Sequence, residues 1–188
     1  MSRVIKQIFF FICLILTSPL FFLYRLTRSR SLFAGQAQLL ALFPGKIGSY
    51  LRVAYYCMTL KQCTRHGYIG FGSFFAHPEA ELGEGYYIGA YSIIGMAKIG
   101  NHATIASHVS ILSGKNQHGY TEIGKPIQDQ PGMFKVIAIG DNCWIGNNTV
   151  VMADLGEQSI IASGSVVVSP TDGFEVIAGN PGKVLRKI

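Results

Sequence analysis

The first 78 residues contain no aspartate or glutamate. They carry nine Lys/Arg, whereas positions 79–188 carry seven basic and ten acidic residues, so the net charge of +6 is an N-terminal property. Charge is scarce throughout: 14% of residues are charged against 49% apolar, a low ratio for a freely soluble protein. The four cysteines, Cys13, Cys57, Cys63 and Cys143, form no CxxC pair and show no framework spacing, which argues against a disulfide scaffold and favours thiols buried in a reducing compartment. The basic half does not read as a nucleic-acid surface, because its cations flank and follow an apolar run instead of lining a recognition helix or an aromatic RNA-binding strand. Anionic lipid is the better match. At 188 residues the chain is expected to hold one domain plus an appendage.

The appendage is 1–30. Ile8 to Tyr24 carries no charge and is bracketed by Arg3 and Lys6 before and by Arg25, Arg28 and Arg30 after. As a helix it spans about 26 Å, slightly short of a hydrocarbon core about 30 Å thick. Pro19 removes a backbone donor in its last third, which predicts a kink and suits a segment that dips into one leaflet. A cleaved signal peptide lacks support, since no A-x-A-like site follows. Region 31–66 mixes aliphatic and aromatic residues with isolated cations and predicts two short amphipathic helices broken at Phe43-Pro44-Gly45. It serves as a helical cap, an interfacial platform, or both.

Further along, aliphatic residues recur at 88, 94, 99, 105, 111, 139, 145, 151, 155, 161 and 167, usually followed by Gly or Ala. A six-residue period fits neither an α-helix nor a lone strand. It predicts short strands joined by turns, three to a triangular coil, each sending one aliphatic side chain inward while the small residue lets the backbone bend. Weaker repeats near Ile69 and Leu82 would start the stack. The pattern fails between Leu112 and Ile137, and the loop 113–136 is where chemistry is expected.

The segment IAIGDNCWIGNNTVV, the ASGSVV coil and the terminal AGNPGKV, with the loop histidine before them, resemble the hexapeptide-repeat acetyltransferases, most nearly the sugar O-acetyltransferases, over roughly 69–188. With the repeat, the resemblance implies an all-β fold, a left-handed parallel β-helix at 67–188 with an extruded loop, and a homotrimer with sites between subunits, preceded by the N-terminal membrane-associated helical segment read from the apolar run. It implies acetyl-CoA as cosubstrate, no metal, and a saccharide acceptor destined for a surface polysaccharide, free or lipid-linked. His118 matches the general base. Asn147 and Ser163 match contacts to the pantetheine arm. Val168 and Ser169 stand where relatives often have Thr-Lys, which leaves that lysine's phosphate contact without a counterpart. Lys183 and Arg186 fall near the expected phosphates. Trp144 lines the arm's channel or fills a coil corner. His102 and His108 are supporting candidates, and His66 and His77 read as structural. Because acetyl-CoA is cytosolic and three arginines follow the apolar run, the expected location is the inner face of the cytoplasmic membrane. Alternatives are N-acetylation of a carrier-linked amino sugar, a zinc carbonic anhydrase, whose histidine spacing His102, His108 and His118 match poorly, and a membrane-tethered trimeric scaffold without catalysis.

Overall fold

Each repeat forms a strand of two or three residues, and strands one coil apart pair in parallel, so the stack has three faces. Ile69, Ile88, Ile105, Ile145, Ile161 and Ile177 stand in register on the first face. Phe75, Ile94, Ile111, Val151 and Val167 do so on the second. Leu82, Ile99 and Ile139 form the third, extended by Leu155 through a single bridge to Ile139. Every one of these side chains is at most 2% exposed. The six-residue period is thus a set of three inward ladders, and Phe75 completes the first coil. This computed structural model describes residues 3–188; Met1 and Ser2, the start of the expected segment 1–30, lie outside the described residues, and so does the Arg3 side chain.

One detail of the expected repeat is corrected. The small residue after each aliphatic does not make the bend. A Cβ on Gly89 would lie 2.6 Å from the Ala106 carbonyl carbon, and one on Gly146 2.6 Å from the Ser163 nitrogen, so these glycines let successive coils approach. The bends fall on residues with left-handed backbone. Tyr91, His108 and Asn148 (φ 58° each) turn the corner between first and second faces, and His102, Asn142, Gln158 and Phe174 (φ 52–57°) turn the one between third and first. Such a conformation costs a non-glycine residue roughly 1–2 kcal/mol. Stacking offsets part of that, as where the Tyr91 and His108 rings lie 5.1 Å apart and 17° from parallel. The remaining corner is tightest, with only Gly95 and Met96 between the strands Ile93–Ile94 and Ala97–Ile99. The short Val151-to-Leu155 step belongs to this corner, and so does the loop 113–136. The other end of the coil closes with a hairpin in which Lys183–Lys187 pairs antiparallel with Glu175–Ala178.

The chain is not all-β, which corrects the fold class. Three helices precede the coil: α1 (Arg3–Thr27), α2 (Arg30–Ala41) and α3 (Gly45–Thr59), with the break at Phe43-Pro44-Gly45 as expected. Apolar side chains of the helices extend the core of the coil over its first turn, with Phe33, Tyr55 and Tyr56 fully buried and the Tyr56 ring 4.9 Å from that of Phe75. α1 is continuous through Pro19. The Ile15 carbonyl, deprived of the Pro19 N–H, accepts instead from the Ser18 hydroxyl at 2.8 Å. Phe10, Cys13 and Thr17 of α1 are buried, whereas Ile8, Phe11, Ile12, Ile15, Leu16, Phe22 and Leu23 are 46–71% exposed. By length and composition, Val4–Thr27 is apolar enough to cross a membrane. All four cysteines are free, the Cys57 and Cys63 sulfurs standing 3.7 Å apart.

The cap is fastened to the coil by Arg52, a fully buried residue of α3. Its Nη1 donates to the carbonyls of Leu40 (2.9 Å) and Phe43 (2.8 Å), and its Nε and Nη2 to that of Ile69 (3.2 and 3.0 Å). One guanidinium thereby satisfies the C-terminal carbonyls of α2 and the first strand of the coil. Tyr56 adds a second tie, its hydroxyl accepting from the Phe75 N–H at 3.1 Å. Arg52→Leu strands these carbonyls without donors and should cost about 3 kcal/mol or more, since each buried unpaired group costs ~1–3 kcal/mol. Urea unfolding followed by circular dichroism checks this, and Arg52→Lys should recover only part of the loss.

Candidate active site

The loop 113–136 is an ordered excursion. Its two limbs run antiparallel: Lys135 N–H donates to the Ser113 carbonyl (2.9 Å), and Met133 N–H to that of Asn116 (2.7 Å). The limbs can close because position 132 is glycine, where a Cβ would stand 1.8 Å from the Gln117 oxygen and 2.8 Å from the His118 nitrogen. Gln130, only 6% exposed, organises the tip. Its amide nitrogen donates to the carbonyls of Glu122 (3.0 Å) and Lys125 (2.9 Å), and its oxygen accepts from the Glu122 N–H (3.0 Å).

Two contacts dock the returning limb onto the coil. Lys135 pairs with Asp154 at 2.8 Å, and the other carboxylate oxygen of Asp154 accepts from the Ala138 N–H. Partial burial opposes ionisation of Asp154, but Lys135 and this N–H hold its carboxyl below the usual range. Phe134 lies edge-on to the His77 ring at 5.7 Å. Burial pushes the His77 pKa down, and its Nδ1 has no hydrogen-bond partner among the described residues.

His118 is exposed and lines a shallow hollow of about 360 Å³ with Asn116, Tyr120, Pro131 and Met133. Asn116 and Met133 also line an adjoining groove of about 320 Å³, walled by Phe134, Met152, Val168 and Pro170 and flanked by Lys115 and Lys135. His118 and Val168 thus lie on two neighbouring hollows that share Asn116 and Met133, with Ser169 exposed. A mainly apolar trough with cations along one rim suits a flexible, amide-bearing arm ending in phosphates.

The other candidates lie elsewhere on the chain. Asn147 and Ser163 are neighbours on the corner between first and second faces, where the Asn147 carbonyl accepts from the Gly164 N–H and its side chain accepts from the Ser107 N–H at 3.1 Å. Trp144 points outward from the first face and is 55% exposed. Lys183 and Arg186 are exposed on the terminal hairpin. Within one chain these residues do not share the groove of His118. His102 and His108 are turn residues of the coil, away from the loop. Among the described residues, no three His, Cys, Asp or Glu side chains converge to hold a metal ion.

Several residues that shape the site were not foreseen. Gln130 is one polar residue in a long polar loop, and only its burial reveals its role. Gly132 follows Pro131 and could have been read as a turn, but its need for close approach to Gln117 depends on the folded limbs. Asn116, Phe134, Met152 and Pro170 become groove residues only once the loop folds back.

The fold is shared with solved sugar O-acetyltransferases and a hexapeptide-repeat acetyltransferase, the family whose resemblance was read in the sequence. A maltose O-acetyltransferase from Clostridium difficile superposes with a TM-score of 0.72 at 19% identity, covering 87% of this chain and 88% of its own. A galactoside acetyltransferase in complex with coenzyme A gives 0.59 at 18% identity, covering 85% and 80%. In sequence, serine acetyltransferase 2 of Arabidopsis thaliana is 30% identical over 112 residues, which is 58% of this chain and 31% of that protein. The chain spans between 28% and 39% of the length of the first curated relatives it matches. No family model matches.

Gly132→Ala separates loop order from coil stability. The amides of Met133 and Lys135 should exchange with deuterium at least tenfold faster, while those of Trp144 and Val150, bonded between coils, stay unchanged by mass spectrometry.

Proposed function

We propose that the protein transfers an acetyl group from acetyl-CoA to a hydroxyl of a saccharide, in the assembly of a surface polysaccharide. The observation that carries this reading is the placement of His118 in a hollow that adjoins a mainly apolar groove of about 320 Å³, on a loop whose two limbs are hydrogen-bonded to each other. The fold shared with maltose and galactoside acetyltransferases supports it. The His118 imidazole takes the proton of the acceptor hydroxyl as its oxygen attacks the thioester carbonyl. The new C–O bond forms, the C–S bond breaks, and the imidazolium returns the proton to the leaving CoA sulfur. No acyl-enzyme forms, and the buried Cys143 has no role.

A homotrimer accounts for the dispersed candidates. Outward-facing residues of the first face include Tyr68, Tyr87 and Trp144, and those of the second include Phe74, Ile93, Val150 and Val166, whereas the third presents Glu81 and Lys98. Two apolar faces per chain suit a cyclic assembly in which the first face of one subunit meets the second of the next. The Asn147, Ser163, Lys183 and Arg186 of one copy would then serve the His118 groove of a neighbour. Membrane attachment through α1 fits its exposed apolar side, continued by Leu39, Leu42, Phe43 and Ile47, with the catalytic domain on the cytoplasmic side, where acetyl-CoA is made.

The test incubates the full chain with labelled acetyl-CoA and paired hydroxyl and amino sugars. Label should pass to hydroxyl acceptors, and His118→Ala should lower the rate by about 10²–10⁴-fold while CoA binding persists. Unchanged turnover in the variant would sink the mechanism. Label found only on amino groups would move the assignment to N-acetylation.

A further inference from the structure

A second concave site lies between α1, α3 and the start of the coil. Lys6, Lys46 and Arg65 line one hollow of about 360 Å³ with Ser49, Tyr50 and Tyr68. An adjoining hollow of about 330 Å³ shares Lys6, Tyr50 and Arg65 and adds Gln7, Phe10 and His66. Among the described residues no carboxylate lines either hollow, and the first 78 residues supply none. The ion pairs among the described residues involve Arg30, Lys61, Lys125 and Lys135, so Lys6, Lys46 and Arg65 have no acidic partner.

The walls of the site are built by packing and hydrogen bonds. The Tyr50 ring meets Phe9 of α1 edge-on at 5.2 Å, which sets the spacing of α1 and α3 here. The turn that carries Arg65 and His66 is tied to the next coil: Thr64 Oγ1 donates to the Gly83 carbonyl at 2.6 Å, and the Gly85 N–H to that of His66 at 2.7 Å. It runs so close to the Tyr86 ring that a Cβ on Gly67 would stand 2.2 Å from it. Arg65 Nε donates to His66 Nε2 at 3.2 Å, which orients the guanidinium and leaves its terminal nitrogens to donate elsewhere. A turn held in this way has little freedom to lose on binding.

Two ammonium groups and a guanidinium without a carboxylate are complementary to phosphoryl oxygens. The division of the residues favours two phosphoryl groups over one. Lys6 and Arg65 belong to both hollows, Lys46 to one, and Gln7 and His66 to the other. A single phosphate would leave one hollow unused, whereas a diphosphate places one phosphoryl group in each, with Lys6 and Arg65 bridging them. The orientation of α1 points to a soluble source. At about 100° per residue, Lys6, Gln7 and Phe10 share the side of α1 that lines the cleft, and Val4, Ile8, Ile12 and Ile15 project from the opposite, exposed side. An acyl chain on that apolar side would be out of reach of the cations.

We propose that the paired hollows bind a diphosphate group, free or esterified, presented from solution. The site involves neither His118 nor Lys183 and Arg186, so it stands or falls separately from acetyl transfer.

The experiment maps the lysines of the full chain, in non-ionic detergent micelles, by succinimidyl acetate labelling and mass spectrometry as inorganic diphosphate is added. Labelling of Lys6 and Lys46 should slow saturably by about tenfold, while that of Lys98, exposed on the third face, stays unchanged. Inorganic phosphate should need a concentration at least tenfold higher for half the effect, and phosphatidylglycerol added to the micelles should give none. R65Q should raise the half-protecting diphosphate concentration at least tenfold with its thermal midpoint unchanged. Labelling of Lys6 and Lys46 that diphosphate does not slow, or equal protection in R65Q, would overturn the site. Equal half-protecting concentrations of phosphate and diphosphate would overturn the two-phosphoryl assignment, and protection by phosphatidylglycerol would overturn the soluble source.

Discussion

No coil of this protein is stable alone. Its strands are two or three residues long, and their amides bond to the next coil, as Gly89 N–H does to Ile105 and Ala106 N–H to Ile145. A coil therefore pairs its backbone groups and buries its three inward side chains only when another coil sits on each side. Two consequences shape the molecule. Both ends of the stack must be covered, which α3 with Arg52 does at one end and the terminal hairpin at the other. Extra residues can enter only at corners, where no ladder is interrupted.

The loop uses the one corner that has no repeating left-handed turn. Extending the chain there leaves the inward ladders intact, with Ile111 before it and Ile137 after it still fully buried. An insertion of this length would be costly to order by coil contacts alone, and the loop supplies its own interior through Gln130 and the paired limbs. The ion pair of Lys135 with Asp154 and the ring contact of Phe134 with His77 then fix its position against the first and fourth coils. Rigidity of this kind lets a single exposed histidine hold a defined place beside an apolar groove.

The ladders were legible in the sequence because inward positions admit only aliphatic or aromatic side chains, so Ile88 through Val167 mark the coil with no alignment. The helix break was legible from Pro44 and Gly45. The agent of the corners was not, since Tyr91, His108 and Asn148 share a backbone conformation and no side-chain chemistry. Arg52 was equally opaque: a cation in an amphipathic helix reads as a surface residue until the carbonyls around it are seen. His118 was a candidate from its loop and the resemblance, but the separation of Val168 from Asn147 and Ser163 onto different corners is a property of three-faced geometry that linear spacing does not encode.

The charge asymmetry of the sequence acquires a place in this architecture. Lys6, Lys46 and Arg65 of the acid-free N-terminal part line neighbouring hollows between α1, α3 and the start of the coil, while the balanced coil carries the groove and loop. The central claim, that this groove and its counterpart on a neighbouring copy form a CoA site, is tested most directly by titrating coenzyme A into the full chain by calorimetry. The proposed chemistry predicts saturable binding with about one CoA per chain. Absence of saturable binding at millimolar CoA would contradict it.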